Sequence, residues 1–245
     1  MCSKSAFLSR SSVILALLLG IPAIAQSQSD VFKTSNGDLR ITPIHHASVM
    51  LEFGGKVIYV DPVGPQEYFR LPKADLILIT DIHQDHFNEP TIRLLRRAGT
   101  ILVTPAAVAK TLPDAQILRN GEKKTVLGIE LDAVPMYNLS RDPKRGTVFH
   151  EKGRGNGYVL VAGGKRIYVS GDTECTPEVK NLKDIDIAFV CMNPPYTMPP
   201  SEAAECVRAF KPKIVYPYHF RGSNTRDFTD ALKQTGVEVR IRKWY

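Results

Sequence analysis

One hairpin is written twice in this chain, and the repetition limits what the rest can become. Val49-Met50-Leu51-Glu52-Phe53 enters Gly54-Gly55 and leaves through Lys56-Val57-Ile58-Tyr59-Val60-Asp61. Later, Tyr158-Val159-Leu160-Val161-Ala162 enters Gly163-Gly164 and leaves through Lys165-Arg166-Ile167-Tyr168-Val169. A two-residue hairpin loop needs positive φ, which glycine reaches without a Cβ clash, and β-branched and aromatic flanks suit strands. The echo continues: Asp75-Leu76-Ile77-Leu78 matches Asp184-Ile185-Asp186-Ile187 as a further strand. A helix candidate follows in each half, Glu89 to Ala98 and Ser201 to Phe210, and then a short strand, Thr100 to Val103 and Lys213 to Tyr216. Two halves with one element order predict two sheets packed face to face with helices outside.

Between the halves, Lys124 to Leu127 and Ile129 to Pro135 read as strands, and Tyr137 to Asn156 as a long polar loop. Loops of that length in compact domains commonly carry function. Thr225 to Gln234 reads as a last helix, Val237 to Ile241 as a last strand, and Gln26 to Asn36 as a loose polar segment.

The start of the chain has another purpose. Lys4 and Arg10 precede an apolar run from Val13 to Ile24, and Ala23-Ile24-Ala25 ends it before Gln26. That is the pattern of a secretory signal peptide, residues 1–25. The run falls short of the roughly 20 apolar residues a spanning helix needs. The expectation is an exported protein, periplasmic or secreted, with no stable transmembrane segment after cleavage; an uncleaved anchor is the alternative. Residues 26–245 suffice for a single domain with a sizeable core.

The formal charge of +7 loses two basic residues with the leader, so the remaining surplus is mild. No dense Lys/Arg run with interleaved aromatics points to nucleic acid, and a small-molecule substrate is the expected partner. Oligomeric state is not legible. Cys175, Cys191 and Cys206 remain after the leader's Cys2. An odd count does not make a disulfide framework. Buried free thiols are expected, with a Cys191–Cys206 bond conceivable in an oxidising compartment, and Cys175 stands out because it follows Asp172 so closely.

The chemistry concentrates in Thr80-Asp81-Ile82-His83-Gln84-Asp85-His86, directly after the apolar run Leu76 to Ile79. Imidazole and carboxylate ligate zinc, manganese or iron. A chain leaving a buried strand can point alternate side chains into one cleft. Asp85 or Asn88 could instead cap the following helix, but two His and two Asp so closely spaced favour a metal. Further ligands must come from other segments. Asp172, after Ser170-Gly171, and His219, after Tyr216-Pro217-Tyr218, both stand at strand ends. Alone, Asp172 would also suit a helix cap and His219 a core histidine.

Together these residues resemble the metallo-β-lactamase superfamily over nearly the whole mature chain. The family motif His-x-His-x-Asp-His reads here as Asp81-x-His83-x-Asp85-His86, its bridging Gly-Asp matches Gly171-Asp172, and its last histidine matches His219. His46-Ala47-Ser48 and Tyr196-Thr197-Met198 look like the branch containing ascorbate-phosphate lactonases and N-acyl-phosphatidylethanolamine phospholipase D. The resemblance implies an α/β (α+β) fold: a four-layer αββα sandwich of two mixed β-sheets with helices on the outside and metals at one edge.

Two departures matter. Asp81 replaces the first motif histidine, and Tyr137-Asn138 stand where the family's middle histidine is expected. Both losses fall on one metal position, while Asp85, His86, Asp172 and His219 complete the other. One tight divalent metal and a second weak or absent one are expected. The second would rest on Asp81, His83, shared Asp172 and either Asn138 or His150. Oxygen in place of imidazole shifts preference from zinc toward manganese or iron.

The expected function is metal-dependent hydrolysis of an ester, lactone, phosphodiester or amide bond by a metal-activated water. Asp85 or Asp172 would orient that water, and His46 and His150 are candidates for supporting or leaving-group roles. Lys144, Arg145, Lys152 and Arg154 in the long loop lean toward an anionic substrate. The alternatives are a degenerate, non-enzymatic metal- or ligand-binding protein and a mononuclear iron oxidoreductase. True β-lactamase activity is not expected.

Overall fold

A computed structural model of the chain describes residues 29–245 apart from 142, 143 and 145, so the signal peptide expected over 1–25 and Arg145 lie outside the described residues. In the first half, β1 (Asp30–Thr34), β2 (Gly37–His45), β3 (Ser48–Phe53) and β4 (Lys56–Val60) meander antiparallel. The strands β5 (Leu76–Leu78), β6 (Ile101–Thr104) and β7 (Gln116–Ile117) then add in parallel. The second half repeats the plan. Its meander is β8 (Lys123–Val126), β9 (Ile129–Met136), β10 (Gly155–Ala162) and β11 (Lys165–Val169), and its parallel strands are β12 (Ile187–Cys191), β13 (Ile214–Tyr218) and β14 (Glu238–Val239). Among the described residues this makes two mixed sheets of seven strands.

The repeated hairpins close as their glycines demand. Phe53 pairs with Lys56 and Ala162 with Lys165, and Gly54, Gly55, Gly163 and Gly164 all have positive φ, from 57° to 77°. Both turns therefore use the left-handed pair that matches strand twist.

The parallel strands are apolar without alternation because both faces are covered. Leu76 and Leu78 enter the core between the sheets, with Leu131, Tyr158 and Val190 of the second half. Ile77, on the opposite face, packs into an outer cluster with Ile92 and Leu95 of α1 (Glu89–Leu95) and Val108 of α2 (Ala106–Ala109). The second sheet carries α3 (Pro177–Lys180), α4 (Pro200–Phe210) and α5 (Thr225–Ala231). From α4, Ala203, Cys206, Val207 and Phe210 join the central core. This is the four-layer αββα sandwich. No helix among the described residues is long and apolar enough to cross a membrane.

Several expectations change, and the helix expected over Glu89 to Ala98 ends at Leu95. Part of the segment expected to be loose is β1, paired with β2 from Asp30↔Ile41 to Thr34↔Gly37. Asp30 also receives Tyr216 Oη at 2.8 Å and Arg242 Nη2 at 2.7 Å, which ties this edge strand to the other half. The helix expected over Thr225 to Gln234 stops at Ala231, and the last strand is only Glu238–Val239.

The cysteines differ most. Cys175 and Cys206 form a disulfide with Cα atoms 5.4 Å apart, joining the segment after Asp172 to α4. Cys191 could not pair with Cys206, since it lies in the middle of the second sheet as a buried free thiol. Burial pushes that thiol up to about 11. Replacing Cys175 and Cys206 together by alanine is expected to lower unfolding free energy by about 2–4 kcal/mol, given the loop the bond closes. Denaturant unfolding of oxidised wild type against the double variant measures it.

Candidate metal centre

Strands of both halves end at one edge of the sandwich, where open α/β sheets generally present functional groups. Directly after β4, Asp61 takes a left-handed backbone, φ 46°. Its carboxylate accepts hydrogen bonds from Thr80 N at 2.7 Å and Thr80 Oγ1 at 2.6 Å. The same group holds His86 Nδ1 at 2.8 Å. Asp61 and His86 are fully buried. A carboxylate on one ring nitrogen fixes the tautomer and aims the other nitrogen outward as a ligand.

His86 Nε2 points at Asp172 Oδ2, 3.4 Å away. His219 Nε2 lies 3.5 Å from Asp172 Oδ1 and 3.3 Å from Asp85 Oδ2. The rings of His86 and His219 stack with centroids 4.9 Å apart. His86, Asp172 and His219 thus present three ligand atoms close enough for one ion. His86 Nε2 and Asp172 Oδ1 are buried without a hydrogen-bond partner among the described residues. Buried orphan polar atoms are costly, and a cation between them would satisfy both.

A second group consists of Asp81, His83 and His150. His83 Nδ1 is 2.8 Å from Asp81 Oδ2, and His150 Nε2 is 3.9 Å from the same oxygen. His150 Nε2 also lies 3.3 Å from Asp172 Oδ2, so Asp172 stands between the two groups. His150 is buried rather than displayed on its loop. Asn138 explains this: its Oδ1 meets both the backbone N of His150, at 2.7 Å, and Nδ1, at 2.8 Å. Asn138 is therefore the orienting group and His150 the ligand candidate. Tyr137 turns away, its hydroxyl donating to Glu178 at 3.0 Å.

His46 occupies a third position. Its Nε2 reaches Asp85 Oδ2 at 3.1 Å and its Nδ1 the hydroxyl of Tyr245 at 2.8 Å. Asp85 differs from its neighbours in being half-exposed, 47% against 4% for Asp172. It faces a cleft of 590 Å³ that His46, His83, His150 and Asp172 also line.

Electrostatics keep Asp81, Asp85 and Asp172 ionised, whereas burial raises Asp61 against the pull of His86 and Thr80. Burial opposes the charge of Asp172, but His219 and His86 hold it well below its usual range. Burial likewise opposes Asp85, outweighed by hydrogen bonds from His219 and His46. Asp81, also against burial, is brought down to about 2 by His83, His86 and Arg154. His86 is raised despite burial by the charges of Asp172 and Asp61. Burial lowers His46, only partly offset by Asp85.

All eight residues expected from the sequence meet at this edge. Asp61, Glu174 and Tyr245 are not among the expected residues, and Asn138, expected as an alternative ligand to His150, orients His150 instead. Asp61 could have been foreseen, since it follows β4 much as Asp172 follows β11. Glu174 pins the long loop by accepting from Arg141 N at 2.8 Å and Ser140 Oγ at 3.2 Å. Nothing in the sequence around Tyr245 signals its contact with His46.

Residues 40–219 match the β-lactamase superfamily domain. The chain is 30% identical over 200 residues to a UPF0173 metal-dependent hydrolase of Thermococcus kodakarensis, covering 74% of this chain and 84% of that one. It is 31% identical to a UPF0173 metal-dependent hydrolase of Anaeromyxobacter dehalogenans, covering 85% and 86%. A crystal structure from Parabacteroides distasonis, assigned as a metal-dependent hydrolase, superposes with a TM-score of 0.84 at 43% identity, covering 89% of this chain and all of that one.

The orienting role of Asp61 is testable. Asp61→Asn keeps the side-chain shape but weakens the hold on His86, and is expected to lower metal affinity about 10- to 100-fold. Competition with a chromogenic chelator reads the change.

Proposed function

The chain belongs to the β-lactamase superfamily and is a metal-dependent hydrolase, and from that premise we propose that it cleaves an ester, lactone, amide or phosphodiester bond at the cluster centred on Asp172. The observation that carries this reading is the buried carboxylate of Asp172, which sits in one ligand group with His86 and His219 and lies 3.3 Å from His150 of the next, at the lining of an open cleft. We assign Asp85, His86, Asp172 and His219 to a tight position, and Asp81, His83 and His150 to a weaker one. Arg154 supports that asymmetry, since its Nε and Nη2 lie 3.2 and 3.1 Å from the two oxygens of Asp81 and compete with a cation for them. Each position combines two imidazoles with carboxylate oxygen, a donor set that accepts zinc, manganese or iron.

A divalent cation bound there supplies a water of lowered pKa and a Lewis acid for the electrophilic centre. The chain's own groups then have distinct tasks. Asp85, ionised and open to the cleft, orients the attacking water and takes its proton. His46, fixed between Asp85 and Tyr245, holds that carboxylate in place. Asp172, enclosed by His86, His150 and His219, keeps the two ligand groups in register. His150 provides the imidazole whose absence would otherwise favour a non-enzymatic binding protein.

We also propose that the protein works outside the cytoplasm. The leader-like start of the sequence is one support, and the Cys175–Cys206 bond is another, because such bonds persist in oxidising compartments.

The test is turnover of a panel containing 4-nitrophenyl esters, an aliphatic lactone and bis(4-nitrophenyl) phosphate. Activity on at least one is expected, lost on chelation and regained with zinc or manganese. His86→Ala and Asp172→Ala are each expected to retain less than about one hundredth of it. Undiminished turnover in both variants would overturn the proposal.

A further inference from the structure

Arg221 lies two residues beyond His219 and lines the cleft together with His83, Asp85, His150 and Asp172. Its guanidinium sits over the Tyr245 ring, 5.8 Å from the centroid. The Tyr245 hydroxyl accepts from the backbone N of Arg221 at 3.1 Å and meets His46 Nδ1 at 2.8 Å. One tyrosine therefore sets both the histidine beside Asp85 and the cation at the rim.

Three other basic groups described near the centre are already engaged. Arg154 is held by Asp81 and Lys152 by Glu178, so neither serves as the free cation expected of the long loop. Arg141 is shared between Glu174 and Glu202. Arg221 is exposed and has no carboxylate partner among the described residues. Beside His150, Phe149 and Tyr196 pack edge to face at 5.0 Å, and Tyr196 remains 46% exposed. The cleft thus combines an unpaired guanidinium near His46 with an aromatic edge near His150.

We propose that Arg221 determines specificity by anchoring an oxyanion, carboxylate or phosphate, carried by the substrate away from its scissile bond, while Phe149 and Tyr196 take up its apolar part. The planar fork of a guanidinium matches either oxyanion with paired hydrogen bonds. Aromatic edges offer apolar surface with little entropy to lose. This assignment rests on the hydrolytic reading of the same cleft, and names the substrate class as small amphipathic anions.

The experiment uses the metal-loaded protein and pairs binding with turnover. Calorimetry compares glutarate and 4-phosphonobutyrate with valerate, which lacks the second anionic group. Either dianion is expected to bind about tenfold more tightly than valerate. Arg221→Ala should close that gap from the dianion side, and Arg221→Lys should keep part of it. A gap for glutarate alone assigns a carboxylate, and one for 4-phosphonobutyrate alone a phosphate. Turnover compares mono(4-nitrophenyl) glutarate with 4-nitrophenyl valerate. Arg221→Ala should raise KM for the charged ester about tenfold and barely change its kcat.

No gap in wild type, or one that survives Arg221→Ala, would overturn the assignment. Turnover of both esters without a charge preference would sink the Arg221 proposal and leave hydrolysis standing. A binding gap abolished by Arg221→Ala, without turnover of either ester, would keep the anchor and count against ester hydrolysis.

Discussion

The carboxylate of Asp172 lies among three imidazoles and almost out of water, and much of the functional edge follows from that placement. His86, His150 and His219 approach it at 3.3 to 3.5 Å. A buried carboxylate costs several kcal/mol unless opposite charge and hydrogen bonds offset the lost hydration. Here each imidazole comes from a different segment, so the charge is stable only when those segments are all in place. His86 is itself held by Asp61, and His150 by Asn138. The cluster and the surrounding fold therefore depend on one another.

The sandwich supplies this geometry through its repeated plan. Each half runs from an antiparallel meander into parallel strands, and the residues just beyond the strand ends carry the chemistry. Gly171 shows how tight the approach is. A Cβ there would collide with Met136 and crowd Thr80, and its φ is +60°. The backbone before Asp172 can lie against the Asp81 segment only because that side chain is missing. The disulfide then ties the segment after Asp172 to α4, which is seated in the central core.

What the sequence made legible was whatever is encoded locally. The Gly-Gly hairpins, the Asp81–His86 run and the strand-end positions of Asp172 and His219 all follow from periodicity and turn chemistry. What stayed hidden depends on contacts between distant segments. The choice between Asn138 and His150 as ligand turned on how Asn138 and Glu174 fold the loop inward. The partner of Cys175 depended on where α4 docks. The strand β1 is a short edge with mixed polarity, visible only once β2 gives it a register. The contact of Tyr245 with His46 spans the fold and leaves no local trace.

On the proposed reading Asp172 serves two metal positions of unequal strength, the second completed by His150. Elemental analysis of protein purified without chelator and supplied with zinc and manganese distinguishes the two positions. Wild type should retain one metal per chain firmly and a second that a mild chelator removes. His150→Ala should keep only the firm one, and Asp172→Asn should lose both. No metal in wild type, or unchanged metal content in Asp172→Asn, would contradict the account.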